Sequence, residues 1–117
     1  MSDLLDQDQE SERVFKALAN GDRRRILDAL RDRPLKTGEL SERLLHLDRT
    51  TVMQHLRVLE RAGLVITQKR GRERWNYLDV SPIQRVYQRW IKDYAAPAAD
   101  VLERLKRELE GSPNQDA

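Results

Sequence analysis

Arg49, Thr50, Met53 and Gln54 fall on one side of a short amphipathic stretch, and their chemistry is that of base reading. An arginine guanidinium forks onto guanine, a glutamine amide pairs with adenine, and threonine or methionine touches a thymine methyl. Thr51, His55 and Arg57 flank that set and add donors suited to the sugar-phosphate backbone. Further along, Lys69, Arg70, Arg72 and Arg74 surround Gly71. Long cations on a turn are what phosphate contact needs. Each group has a plainer reading. The first could be an ordinary solvated helix face, and the second a charged turn that keeps a hairpin soluble. Their order, with a short helix before them, favours DNA over both.

Other chemistries find little support. The chain has no cysteine, so disulfides, thiolate metal sites and thiol nucleophiles are all excluded. Two histidines, His46 and His55, make a poor metal set, and no metal or other cofactor is expected. No serine has a convincing histidine and acid arrangement, and no glycine-rich phosphate loop occurs. Glu39 and Glu42 sit on a helix surface and read as solvation. No enzyme is expected.

The net charge of +2 hides an asymmetry. Residues 1–12 carry five acids and no base, whereas residues 13–94 carry 19 Lys/Arg against 10 Asp/Glu. A basic centre between acidic ends suits a polyanion. No apolar run approaches the roughly 20 residues of a membrane span. The acidic start Met1-Ser2-Asp3 is unlike a secretory signal, so a soluble, cytoplasmic protein is expected.

The elements that must position these residues follow from periodicity and caps. Residues 1–10 are acidic and non-periodic, and read as disordered or as a frayed helix start. A helix over 11–19 buries Val14, Phe15 and Leu18, and Asn20 or Asp22 caps a second over 22–31. Arg23, Arg24 and Arg25 crowd the start of that second helix, which its macrodipole disfavours unless they meet an anionic neighbour. A third helix spans 37–45. Asp48 caps a fourth over 49–62, in which Val52, Leu56 and Leu59 recur at i, i+4 and i+7. Gly63 ends it. Two strands over 64–69 and 74–78 make a hairpin with Gly71 at its tip, and Trp75 and Tyr77 alternate on one strand face as core or dimer packing. Ser81-Pro82-Ile83-Gln84 reads as a capped helix start. Helical period then runs from Ile83 to Leu109, with a kink or break expected at Pro97.

At this point the chain resembles the ArsR/SmtB family of winged helix-turn-helix regulators. The matching residues are Leu18-Ala19, Arg23 to Leu27, Glu39-Leu40, Val52, His55-Leu56, Val58-Leu59, Ala62 to Val65 and the wing Gly71-Arg72. The continuation Trp75-Asn76-Tyr77-Leu78, Pro82-Ile83 and Trp90-Ile91 is similar to one subgroup. The resemblance implies a mainly α fold with a small β-hairpin and a homodimer built on the first and last helices. It implies double-stranded DNA as partner and repression of an operator of dyad symmetry. Carrying the family's base-contacting face across gives Arg49, Thr50, Met53 and Gln54. On the dimer surface stand Val14, Leu18, Tyr87, Trp90, Tyr94, Val101 and Leu105. The family's metal sensors carry cysteines where this chain has Gly38-Glu39-Leu40-Ser41-Glu42, and others carry an Asp-x-His pair where it has Asp79-Val80-Ser81. Metal sensing is therefore not expected. The connection Leu45-His46-Leu47 lacks the usual glycine and is one residue longer, and Gly21 stands where the family often has proline.

The expected division is an acidic N-terminus over 1–10, a winged helix-turn-helix domain over 11–94, a dimerisation helix over 95–110 and a tail over 111–117. Two alternatives to a plain DNA-binding repressor stay open. One is a repressor sensing a non-metal small-molecule effector of unknown identity, in an apolar pocket near Trp75, Tyr87, Trp90 and Tyr94. The other is a winged-helix module that binds protein, against which the wing bases and the polar face of the fourth helix argue.

Overall fold

The computed structural model describes residues 2–111, and they run in the order α1 (Ser2–Leu18), α2 (Gly21–Leu30), β1 (Leu35–Lys36), α3 (Thr37–Arg43), α4 (Arg49–Arg61), β2 (Val65–Arg70), β3 (Glu73–Leu78), α5 (Ser81–Val86), a π-helical turn (Tyr87–Ile91) and α6 (Lys92–Glu110). The tail expected over 111–117 lies outside the described residues from 112 on. The described chain forms two compact units, one ending at Arg85 and one beginning at Val86.

In the first unit the apolar stripes meet as expected. Ile26, Leu27 and Leu30 of α2, Leu40 of α3, and Val52, Leu56 and Leu59 of α4 form one core with Ala17, Leu35, Leu64 and Val65. Val14, read as a dimer contact, is fully buried inside the chain and offers a second copy nothing, whereas Leu18 is half-buried. The acidic N-terminal segment is helical rather than disordered, as α1 begins at Ser2. Asp6 and Asp8 lie in its second turn, near the positive helix end that carboxylates favour. Arg85 also pairs with Glu10 and ties that stretch to α5.

The caps carry the turns. Asn20 Oδ1 accepts from the N–H groups of Asp22 at 2.9 Å and Arg23 at 3.1 Å. Asp48 Oδ1 accepts from Thr51 N–H at 2.7 Å and sets where α4 begins. At the other end the Leu64 N–H reaches the Leu59 carbonyl and the Gly63 N–H that of Glu60, both at 2.9 Å, with Gly63 at φ +76°. That is a Schellman stop, and its left-handed position suits glycine. Before α5, Asp79 rather than Ser81 does the capping. Its Oδ1 accepts from the Ser81 N–H at 2.9 Å and the hydroxyl at 2.6 Å, which holds the Asp79 carboxyl below its usual range.

The sheet has three antiparallel strands in the order β1-β3-β2, one more than a hairpin. Two residues, Leu35 and Lys36, pair with Asn76 and Trp75. So short a strand has no alternation for a sequence to display. Arg70 and Glu73 close the β2–β3 hairpin around Gly71-Arg72, and only Gly71 has positive φ, the pattern of a type II′ turn. Register places Ile66, Tyr77, Gln68 and Trp75 on the sheet face opposite Val65 and the fully buried Asn76. Trp75 and Tyr77 are therefore half-exposed on the outer face, not core.

In the second unit the chain passes through Pro97 as helix, and α6 continues to Glu110. A π-helical irregularity sits upstream of it, where Lys92 N–H bonds the Tyr87 carbonyl, five residues back. Such a π-bulge relieves the ladder locally.

Asn76 should hold β1 to the sheet. Its Nδ2 donates to the Leu35 carbonyl and to Thr37 Oγ1, both at 3.1 Å, in a fully buried position. Asn76→Ala strands both acceptors, and urea unfolding should show a loss of about 1–3 kcal/mol.

Candidate nucleic-acid interface

The interface is built on α4. Burial of Val52, Leu56 and Leu59 turns Arg49, Thr50, Gln54 and Arg57 outward, and all four are exposed. Met53 is half-buried at the edge of that face. Thr51 is half-buried too, and both its N–H and its hydroxyl engage Asp48, which lowers the Asp48 carboxyl.

The wing cations Lys69, Arg70, Arg72 and Arg74 are all exposed. Arg70 folds back over the hairpin, donating to Tyr77 Oη on the neighbouring strand β3 at 3.1 Å. Arg72 and Arg74 instead line a cleft with Arg49, the first residue of α4. Lys36, Thr37, Gly38, Glu39, Glu42 and Glu73 complete its walls. The α4 entrance and the wing tip thus face one hollow, as a surface that grips a duplex requires.

Lys36 was not among the sequence candidates. It enters because β1 pairs with β3, which sets it across from Trp75. Its Nζ lies 2.9 Å from Glu73 and 5.4 Å from the centre of the Trp75 ring. The Glu73 carboxylate pushes the Lys36 ammonium pKa up. Glu39, read as solvation, instead accepts from the Lys36 N–H at 3.1 Å and from Arg33 at 3.0 Å. Those two bonds hold its carboxyl low, the Lys36 contact first.

Behind α4 lies a second arrangement. Arg23 Nε donates to the Ala17 carbonyl at 2.7 Å and Nη2 to that of Lys16 at 2.8 Å. Arg24 donates to the Leu18 carbonyl at 2.6 Å. The arginine cluster thus faces the negative C-terminal end of α1, and that offsets its poor position on α2. Arg25 pairs with Asp22 at 3.0 Å. Asp22 also accepts from His46 at 2.7 Å, which lowers its carboxyl and anchors the long α3–α4 connection to α2.

His55, expected to donate to a neighbour or to a phosphate, meets a neighbour. It is half-buried, and its Nδ1 faces Arg23 Nη1 at 3.4 Å. Burial, then the Arg23 charge, push its imidazole pKa below 6.5. Nδ1 is placed to accept from Arg23, linking α4 to the end of α1.

Among the described residues no group of three or more His, Asp or Glu could hold a metal ion. None of their helices is long and apolar enough to cross a membrane. Of the residues read from sequence as lining an apolar pocket, Trp75 belongs to the first unit and Tyr87, Trp90 and Tyr94 to the second.

Comparison with known proteins agrees with this geometry. Residues 18–68 match the model of a helix-turn-helix domain family. The HTH-type transcriptional regulator YuzN of Bacillus subtilis is 38% identical over 85 residues, which is 68% of this chain and 92% of that protein. The solved structure of HlyU from Vibrio cholerae is 33% identical, with a TM-score of 0.59, covering 74% of this chain and 94% of that one. The ArsR-like transcriptional regulator of Rhodococcus superposes with a TM-score of 0.64 at 27% identity, over 85% of this chain and 92% of the other. The chain belongs to the ArsR/SmtB-type winged helix-turn-helix transcriptional regulators. In the winged helix-turn-helix fold its α3 and α4 make the helix-turn-helix and its β2–β3 hairpin the wing.

The His55 environment has a pH consequence. A histidine whose folded pKa is lowered contributes stability present above its unfolded value, about 6.5. That stability is lost as pH falls through the folded value, because the unfolded chain then binds the proton more readily. His55→Asn keeps an acceptor for Arg23 and cannot titrate. Urea midpoints should fall between pH 7.5 and pH 5.5 in the wild type, and fall less in the variant.

Proposed function

We propose that the protein is a homodimeric repressor that binds a dyad-symmetric operator in double-stranded DNA, with α4 in the major groove and the wing on the backbone. The observation that carries this reading is the shared cleft between Arg49, at the start of α4, and Arg72 and Arg74 of the wing. Thr50, Met53 and Gln54 read bases from the exposed face of α4, and Gln54 is best suited to adenine. Arg49 reads a base from the helix entrance. Arg57, Lys69, Arg70 and Arg72 hold phosphate, and Arg74 joins them. His55 supports the helix from behind. Such a regulator acts in the cytoplasm, needs no cofactor and performs no catalysis.

Dimerisation is supported by the second unit. Tyr94, Val101, Leu102, Leu105 and Leu109 share helical period and stay 72%, 49%, 61%, 49% and 62% exposed. So large an apolar stripe on one chain marks an interface, and two copies set the two half-sites of a palindrome. Leu18 of the first unit, and Tyr87 and Trp90 of the second, are further dimer contacts on this reading, and a small-molecule effector would act by shifting the dimer.

Two measurements test this. Binding of variants to a randomised duplex library at two salt concentrations separates readers from holders. Gln54→Ala should relax one position in each half-site at a cost of about 1–3 kcal/mol. Arg72→Ala should keep the preferred sequence and flatten the salt dependence by roughly one unit per contact. The reverse pattern would place the wrong face of α4 on the bases.

Sedimentation at micromolar concentration should return a dimer. The double substitution Val101→Asp, Leu105→Asp should give a folded monomer with weakened operator binding. A monomeric wild type would overturn the dimer.

A further inference from the structure

The cleft between α4 and the wing is not simply cationic. Lys36, Arg49, Arg72 and Arg74 line it together with Glu39, Glu42 and Glu73. Glu39 is committed to the α3 backbone and to Arg33. Glu73 differs, because its bond is to a cation that faces the same hollow. We propose that Glu73 stands in for a DNA phosphate: it occupies Lys36 in the free protein and thereby lowers backbone affinity for every DNA sequence. The proposal rests on the DNA reading above and names a residue that regulates the same site.

Geometry and energetics both support the role. Lys36 Nζ and Glu73 Oε2 are 2.9 Å apart, with the two side chains 40% and 49% exposed. A pair so exposed contributes little to folding and opens at small cost. Lys36 is held in place by more than the carboxylate, since β1 sets it opposite Trp75 and its ammonium sits over that ring. Without Glu73 the cation therefore stays at the cleft. Arg49, Arg72 and Arg74 make no ion pair among the described residues, so Lys36 is the cleft cation that is occupied at home.

Counterion release turns this into a measurable quantity. A cation that neutralises a phosphate releases the DNA's condensed counterion, and each such contact steepens the salt dependence by about 0.9. A lysine already neutralised by its own carboxylate adds nothing to that slope. The carboxylate also faces an incoming phosphate as a like charge. Both effects ignore base sequence, so Glu73 limits how firmly bulk DNA holds the protein while Thr50 and Gln54 keep their discrimination.

The test is a double-mutant cycle on the full chain, using Glu73→Gln, Lys36→Gln and both together. Each variant is titrated with a random-sequence duplex and with the duplex selected by the wild type, across salt. Glu73→Gln should bind both duplexes several-fold to about tenfold tighter near 0.1 M salt, with a slope steeper by about 0.9 per protomer and an unchanged preferred sequence. Lys36→Gln, which leaves the carboxylate bare, should bind more weakly than wild type. The double variant should return to the wild-type slope.

If the wild type binds DNA and Glu73→Gln keeps its slope, the proposal falls while the DNA reading stands. If the double variant is as steep as Glu73→Gln, Lys36 is not the cation released, and the proposal also falls. A wild type that binds no duplex removes the DNA reading and the proposal together.

Discussion

The rotation of α4 about its own axis decides what this surface can do. Each residue turns the helix by about 100°, so the side chains that pack inward fix those that face out. Val52, Leu56 and Leu59 are essentially fully buried. Exchanging that stripe for Thr50, Gln54 and Arg57 would bury a charge and an amide and expose three aliphatic side chains. Several kilocalories oppose that rotation. The readout face therefore follows from hydrophobic burial on the opposite side, and the caps fix its axial setting. Asp48 sets the first turn and the Gly63 stop sets the last.

Around that helix the polar groups form a frame. Arg23 and Arg24 reach back to the final carbonyls of α1, and Arg23 also faces His55 on α4. A cluster that looks unfavourable on α2 alone becomes favourable once the negative end of α1 lies across from it. His46 and Asp22 do similar work for the connection before α4. That connection contains no glycine, and a tether at its middle holds the chain leading into the helix entrance.

What could be read from sequence divides along physical lines. Helices announce themselves by a stripe of period 3.6 and by caps, so the order of helices, the buried face of α4 and the hairpin tip at Gly71 were all legible. The candidates Arg49, Thr50, Gln54 and Arg72 do lie exposed on α4 and the wing. A two-residue strand carries no periodicity, so β1 was hidden, and with it the place of Lys36 in the cleft. Val14 shows another limit. A stripe of Val14, Phe15 and Leu18 says that α1 packs, but not whether its own chain or a second copy supplies the partner. The three part company in the structure, with Val14 buried, Leu18 intermediate and Phe15 43% exposed. The acidic N-terminus looked non-periodic because carboxylates in an opening helical turn need no apolar stripe to be stable there.

Proline in the last helix does not break it. Pro97 lacks an N–H for the carbonyl four residues back, which predicts a kink or a break. The chain stays helical through it, and the departure from α geometry lies upstream, between Tyr87 and Ile91. A π-bulge adds one residue to a turn and rotates everything beyond it by about 100° relative to an uninterrupted helix. The aromatic residues of that turn and the aliphatic residues of α6 thus need not share the face that a helix-wide count assigns them. Within α6 itself the spacing from Tyr94 through Ala98, Val101, Leu102 and Leu105 to Leu109 is unbroken. That continuous stripe, rather than the longer one beginning at Ile83, is the unit a partner would cover.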